Sequence, residues 1–74
     1  MVGEWALMAV LVPLEVLGGL EAVRRSGLTN MLDRPAVIHI AEEMGFKSAA
    51  EWVFDHPAEY ARGVFEGFEA EDAD

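Results

Sequence analysis

Apolar residues recur at helical spacing through most of this chain, and proline, glycine and short polar side chains punctuate the pattern. From Pro13 onward, Leu17, Leu20 and Val23 fall on one side with Leu14 and Val16 alongside, while Glu21 can pair with Arg24 or Arg25 on the other. Pro13 suits the opening of a helix, where its missing N–H is not needed, and Gly27 supplies the stop. Inside this helix Gly18 and Gly19 each cost about 1 kcal/mol relative to alanine. That cost points to a close approach by another backbone, or to a bend.

The segment GLTNMLD then reads as a loop. Asn30 suits a turn, and Asp33 is placed to cap a second helix that tolerates Pro35 in its first turn. Val37, Ile38, Ile40, Ala41 and Met44 give that helix its apolar face, and Gly45 ends it. Ser48 followed by Glu51 fits a capping box, in which hydroxyl and carboxylate each satisfy an orphan N–H at the start of a third helix. This helix carries Trp52, Val53 and Phe54 and must stop before Pro57, because the residue preceding proline avoids helical angles. Pro57 opens a fourth helix, with Asp55 or His56 as cap and Tyr60, Ala61, Val64, Phe65 and Phe68 as its buried side.

The ends are less regular. Residues 1–12 form an apolar segment whose stretch from Ala6 to Val12 suits a helix, the favoured reading, or a short strand. A lone strand would need a partner edge, which a symmetric dimer would supply. Residues 13–68 form the helical domain, and the acidic tail 69–74 has no large apolar residue to anchor it and is expected to fray. The expectation is a compact all-α bundle of three to four short helices, with a hairpin at Gly45 that resembles a helix-turn-helix.

That hairpin departs from a DNA reader at a decisive place. Ala41 and Gly45 match the small residue and turn glycine of a helix-turn-helix, but Glu51 stands where the second helix needs a buried aliphatic. After Lys47 and Ser48 no arginine, asparagine or glutamine follows to read base edges. Charge adds to the objection. Fourteen acidic residues face five basic ones, for a net charge of −9, and such a chain repels phosphates. Direct DNA binding is therefore disfavoured, and a regulator using Arg34 and Lys47 near the turn is the rival reading. The acidity itself fits a solubilising surface, adaptation to a salty cytoplasm, or mimicry of nucleic acid.

The remaining composition narrows the class. With 74 residues there is room for one domain, and with 53% apolar residues the chain is too hydrophobic to be disordered. No cysteine is present, which removes disulfides, thiolate metal sites and cysteine nucleophiles. The absence fits an intracellular, cytoplasmic protein. The run is uncharged from Trp5 to Leu14 and apolar to Leu20 apart from Glu15, but Pro13, Glu15 and the Gly18–Gly19 pair interrupt it, so it does not read as a membrane span. No targeting signal is visible. So rich an apolar content in so short a chain leaves surface for a second subunit, and self-association, with a dimer favoured, is expected through the N-terminal segment.

Taken in order, SGLTNMLD, VIHIAEEMGF, a tryptophan helix and HPAEYARGVFEGF resemble a family of small uncharacterised proteins from bacteriophages, prophages and haloarchaeal viruses or genomes. The shared features fall on Gly27, Thr29, Asn30, Met31, Asp33, Ile40, Ala41, Gly45, Phe46, His56, Glu59 and Tyr60. The preference for arginine over lysine and the acidity are similar to haloarchaeal members. The resemblance implies a viral or mobile-element origin and brings no established activity with it.

Chemistry finds little support. His39 and Glu43 lie one helical turn apart but lack further ligands at metal spacing, and His56 reads as a cap. Ser26 and Ser48 have turn and capping roles, and no glycine-rich phosphate loop is present. No catalytic residue, metal or cofactor is expected. The reading is a non-enzymatic accessory protein of viral or mobile-element type that binds another protein. In its sharpest form it is an acidic inhibitor that mimics nucleic acid against a host defence or regulatory protein. A structural part of a virion or larger assembly is the other alternative. The candidate partner-binding residues are Met31 and Leu32, apolar in a loop, and the acidic set Glu59, Glu66, Glu69, Glu71 and Asp72, with Asp74 beyond it. Asp33, Gly45, Ser48, Glu51 and Pro57 are the structural caps.

Overall fold

The computed structural model describes residues 9–71. In chain order the elements are β1 (Val10–Val12), α1 (Leu14–Ser26), α2 (Arg34–Glu43), α3 (Lys47–Asp55), α4 (Pro57–Glu66) and β2 (Phe68–Ala70). The fold is the small helical bundle that the periodicity predicts, closed by one pair of short parallel strands. Asp72, Asp74 and most of the apolar leader lie outside the described residues.

The helix boundaries follow local chemistry. Gly27 ends α1 in the left-handed region at φ 68°, and the Asp33 carboxylate accepts the Ala36 N–H at 3.3 Å to cap α2. At the end of α2 Gly45 takes φ 89°, which lets Phe46 N–H reach the Ala41 carbonyl at 2.8 Å and Gly45 N–H the Glu42 carbonyl at 3.1 Å. This paired closure satisfies two orphan carbonyls. It also leaves only a short turn, so the chain re-enters a helix at Lys47 with Phe46 as the N-cap residue and no side-chain cap. Ser48 is therefore already inside the helix, and the capping box with Glu51 does not form. Pro57 opens α4 as expected. His56 is the cap residue there, but its ring faces backward: Nδ1 lies 2.9 Å from the Trp52 carbonyl, and the imidazole stacks on the indole at 4.7 Å.

Helix α3 is the centre of the bundle, packed against both α1 and α2. The core is built mostly of small side chains: Val12, Val16, Val23, Val37, Ala41, Ala49, Ala50 and Val53, with Leu20 and Tyr60 as its larger members. Gly19 is one of the reasons. A Cβ added there would lie 2.6 Å from that of Ala49 and 2.9 Å from that of Phe46, so the bare backbone of α1 receives these two side chains from the start of α3. Gly18, by contrast, faces open space.

The α4 face is narrower than its spacing suggests. Tyr60 and Gly63 are buried and Val64 half-buried, whereas Ala61 and Phe65 are exposed. Phe65 points away because Phe68, released from the helix at Gly67 (φ 101°), folds back to occupy the core side. Its ring lies directly over Gly63, 5.8 Å from the Tyr60 ring and edge-on to Trp52 at 6.1 Å. Phe68 thereby starts β2 rather than ending α4.

Residues 10–12 are strand, not helix, and their partner edge comes from the same chain. Val10, Leu11 and Val12 lie opposite Phe68, Glu69 and Ala70 in parallel register. Val10 and Val12 point into the core while Leu11 points outward. The first residues of the acidic tail are thus ordered by pairing, through Glu71, whose N–H reaches the Val12 carbonyl at 2.8 Å.

Gly63→Ala should strain the Phe68 ring and lower stability by about 1–3 kcal/mol. Gly18→Ala, with no neighbour to displace, should raise it by up to about 1 kcal/mol; urea denaturation of both variants checks the pair. A second expectation concerns Tyr60, whose hydroxyl donates to the Met31 carbonyl. Burial pushes its pKa up from 10.0 to about 12. Its contribution is complete below pH 10 and is lost as the pH rises toward 12. Thermal melting across that window should show a fall in stability that Tyr60→Phe reduces.

Candidate functional site

The hairpin of α2 and α3 carries the clearest candidate surface. Ile38 and Glu42 lie one turn apart on α2, and Ala50, Glu51, Phe54 and Asp55 span the matching turns of α3. Together they line a groove of about 190 Å³. Its apolar floor is Ile38 and Ala50, and Phe54 stands at its side with 68% of its surface exposed. The rim consists of three carboxylates, Glu42, Glu51 and Asp55, none of which forms an ion pair among the described residues.

A cation near this hairpin is committed elsewhere. The Arg34 guanidinium donates from Nη1 to the carbonyls of Val53 at 3.1 Å and Phe54 at 3.4 Å. It thereby satisfies the carboxyl end of α3, where carbonyls lack helical partners and positive charge is favoured. Arg34 is thus bound into the fold beside the groove rather than held out toward a phosphate.

A larger cavity of about 280 Å³ opens between α1, α4 and the start of β2. Leu17, Leu20, Met31, Val64 and Phe68 give it apolar walls, with Glu21 and Arg24 among its lining residues. Glu21 pairs with Arg25 at 3.5 Å. Among the described residues no nucleophile or histidine lines this space.

The candidates chosen from sequence are scattered. Met31 is half-buried under its loop, its carbonyl taken by Tyr60, while Leu32 remains 53% exposed. Glu59 and Glu66 lie on one side of α4, but Arg62 stands between them and pairs with Glu66 at 3.5 Å. Glu69 and Glu71 are exposed on and just after β2, and Asp72 lies outside the described residues. His39 and Glu43 approach to 3.9 Å on an exposed face, and among the described residues no three metal-binding side chains gather. Ser26 donates its hydroxyl to the Val23 carbonyl at 2.6 Å.

The groove is not found by sequence reasoning, which counts Phe54 with the apolar residues of α3 and reads Glu51 as a cap. The signal that could find it is Glu51 itself, an acid where a helix-turn-helix needs an aliphatic, recurring one turn later as Asp55.

Residues 15–67 match a family described as a domain of unknown function, DUF5049. The chain belongs to the DUF5049 family. The DUF5049 match begins in the first turn of α1 and ends at the glycine after α4, so it holds all four helices and the groove, while both strands lie outside it. No curated protein and no solved structure matches the chain significantly.

Replacing Arg34 by methionine keeps the aliphatic stem but removes the donors to α3. Stability should fall by about 1–2 kcal/mol, with lysine intermediate because it cannot form the same planar fork. Thermal melting of the two variants measures the difference.

Proposed function

We propose that this DUF5049 protein is a non-catalytic accessory protein, of viral or mobile-element type, that acts by binding a basic segment of a partner protein in the α2–α3 groove. The observation that carries the reading is the combination in that groove: an apolar floor, an exposed Phe54 ring and three carboxylates without ion-pair partners among the described residues. A long cationic side chain suits this combination. Its aliphatic stem would cover Ile38 and Ala50, its charged head would meet the carboxylates, and the Phe54 ring would add a cation–π contact.

The net charge of −9 acts at longer range, steering a basic surface toward the molecule. A partner whose basic surface normally holds nucleic acid would be blocked by such an encounter, which is the inhibitory, nucleic-acid-mimicking form of the proposal. The host interior is the expected place of action. The rival reading, a DNA-binding regulator, loses support because Arg34 is spent on the end of α3. The resemblance to phage and haloarchaeal virus proteins supports the proposed origin.

Titration with a fluorescent arginine-rich peptide tests the groove. Converting Glu42, Glu51 and Asp55 together to their amides should weaken binding about tenfold or more, the equivalent of about 1.4 kcal/mol. Converting Glu59, Glu66 and Glu69 removes the same formal charge and should have a smaller effect. Phe54→Ala should also weaken binding. Equal losses for the two triple variants, with no effect at Phe54, would mean that bulk charge alone attracts the peptide and would overturn the groove reading.

A further inference from the structure

Strand β1 spends only part of its backbone on β2. Val10 donates its N–H to the Gly67 carbonyl at 2.9 Å, and the Val12 carbonyl accepts the Glu71 N–H at 2.8 Å. In a parallel ladder the residues that bond to one neighbour alternate along the strand. Leu11, between them, therefore turns its N–H and carbonyl to the opposite side. Among the described residues neither group has a backbone partner, and the Leu11 side chain is 56% exposed. An edge of this kind is a template for another strand.

We infer that β1 pairs antiparallel with β1 of a second copy of this chain, with the twofold axis passing between the two Leu11 residues. The result is a four-stranded sheet in the order β2–β1–β1–β2. The geometry selects a second copy because two antiparallel residues that exchange both hydrogen bonds are self-complementary about a twofold axis. Leu11 is the central residue of the strand and offers both groups outward. Directly opposite residues of such a pair point to the same face, so the two exposed leucines would cover one another.

Charge selects the same partner. Two copies carrying −9 each repel, and they can meet closely only where charge is absent. The stretch from Trp5 to Leu14, which contains β1, has no charged residue. The acids of the sheet, Glu69 and the adjoining Glu71, belong to β2, on the far side of β1 from the proposed contact. Three strand spacings separate Glu69 of one copy from its counterpart, about 14 Å, which exceeds the physiological Debye length of about 8 Å. A two-stranded sheet is marginal in isolation, and four strands are the more stable arrangement.

Sedimentation analysis of the full chain at high micromolar concentration tests the pairing. The wild-type chain is expected to sediment as a dimer that tightens as sodium chloride is raised, because salt screens the repulsion between copies. Binding of a basic peptide in the groove should instead weaken with salt, so the two proposals fail separately. Leu11→Pro removes an N–H that faces away from β2 and should give a monomer with an unchanged circular dichroism spectrum. Leu11→Lys should do the same by placing charge on the axis; if the proline variant loses its fold, this variant carries the test. A wild-type chain that stays monomeric, as it would if the edge were covered within its own chain, overturns the inference. So does a dimer that survives Leu11→Lys.

Discussion

The close contact between Ala49 of α3 and the bare backbone of Gly19 in α1 sets the scale of this bundle. Helices that meet at glycine and alanine lie near one another, and valine and alanine make up most of the fully buried core while Phe46, Trp52 and Phe68 pack at its margin. The core reflects this, since Leu20 and Tyr60 are its only larger members among the described residues. Close packing of that kind tolerates neither added nor missing volume. Larger apolar side chains are displaced outward, and Phe54 and Phe65 stand 68% and 77% exposed. Phe54 lies on the side of α3 turned from the core, and its ring stands beside the three acids of the groove.

Electrostatics follow the same division between structural and available groups. Three of the five cations are engaged within the fold. Arg25 pairs with Glu21, Arg62 pairs with Glu66, and Arg34 closes the end of α3. The first two pairs are largely exposed and contribute little to stability. Arg34 matters more, because it joins the start of α2 to the end of α3 and holds the hairpin that carries the groove. The acids greatly outnumber the remaining cations. Glu42, Glu51 and Asp55 have no ion pair among the described residues, and their clustering around an apolar floor gives the acidity a place to act.

The helices are legible in the sequence because their signals are local. Pro13, Gly27, Asp33, Gly45 and Pro57 mark starts and stops whose physics involves only a few neighbouring residues. The strands are not, since three residues of β1 find their partner beyond four intervening helices, and no local pattern encodes that meeting. Phe65 and Phe68 illustrate the same limit. Their spacing on a helix admits both to one apolar side, yet Gly67 turns the chain and sends only Phe68 to the core. Ser48 has the spacing of a cap, but the closure at Gly45 is tight enough for α3 to begin two residues earlier, with Phe46 as its N-cap. The groove lies beyond reach for a further reason: it needs both helices at once, and the burial of Phe54 is decided by what α2 leaves uncovered.

The parallel pair at the ends of the chain has a kinetic side. Val10 and Phe68 are separated by nearly the whole of the described sequence, so their meeting closes a loop that holds all four helices. Contacts of high sequence separation are slow to nucleate, whereas the α2–α3 hairpin joins near neighbours. The expected order is the α2–α3 hairpin first and the strand pair last. Phe68 lies on that late segment and covers Gly63 and Tyr60, and Val10 and Val12 are buried in the core, so the strand pair completes the core beside α4. Parting the strands would bare the core at α4, on the side of the molecule away from the short-range contacts of the hairpin.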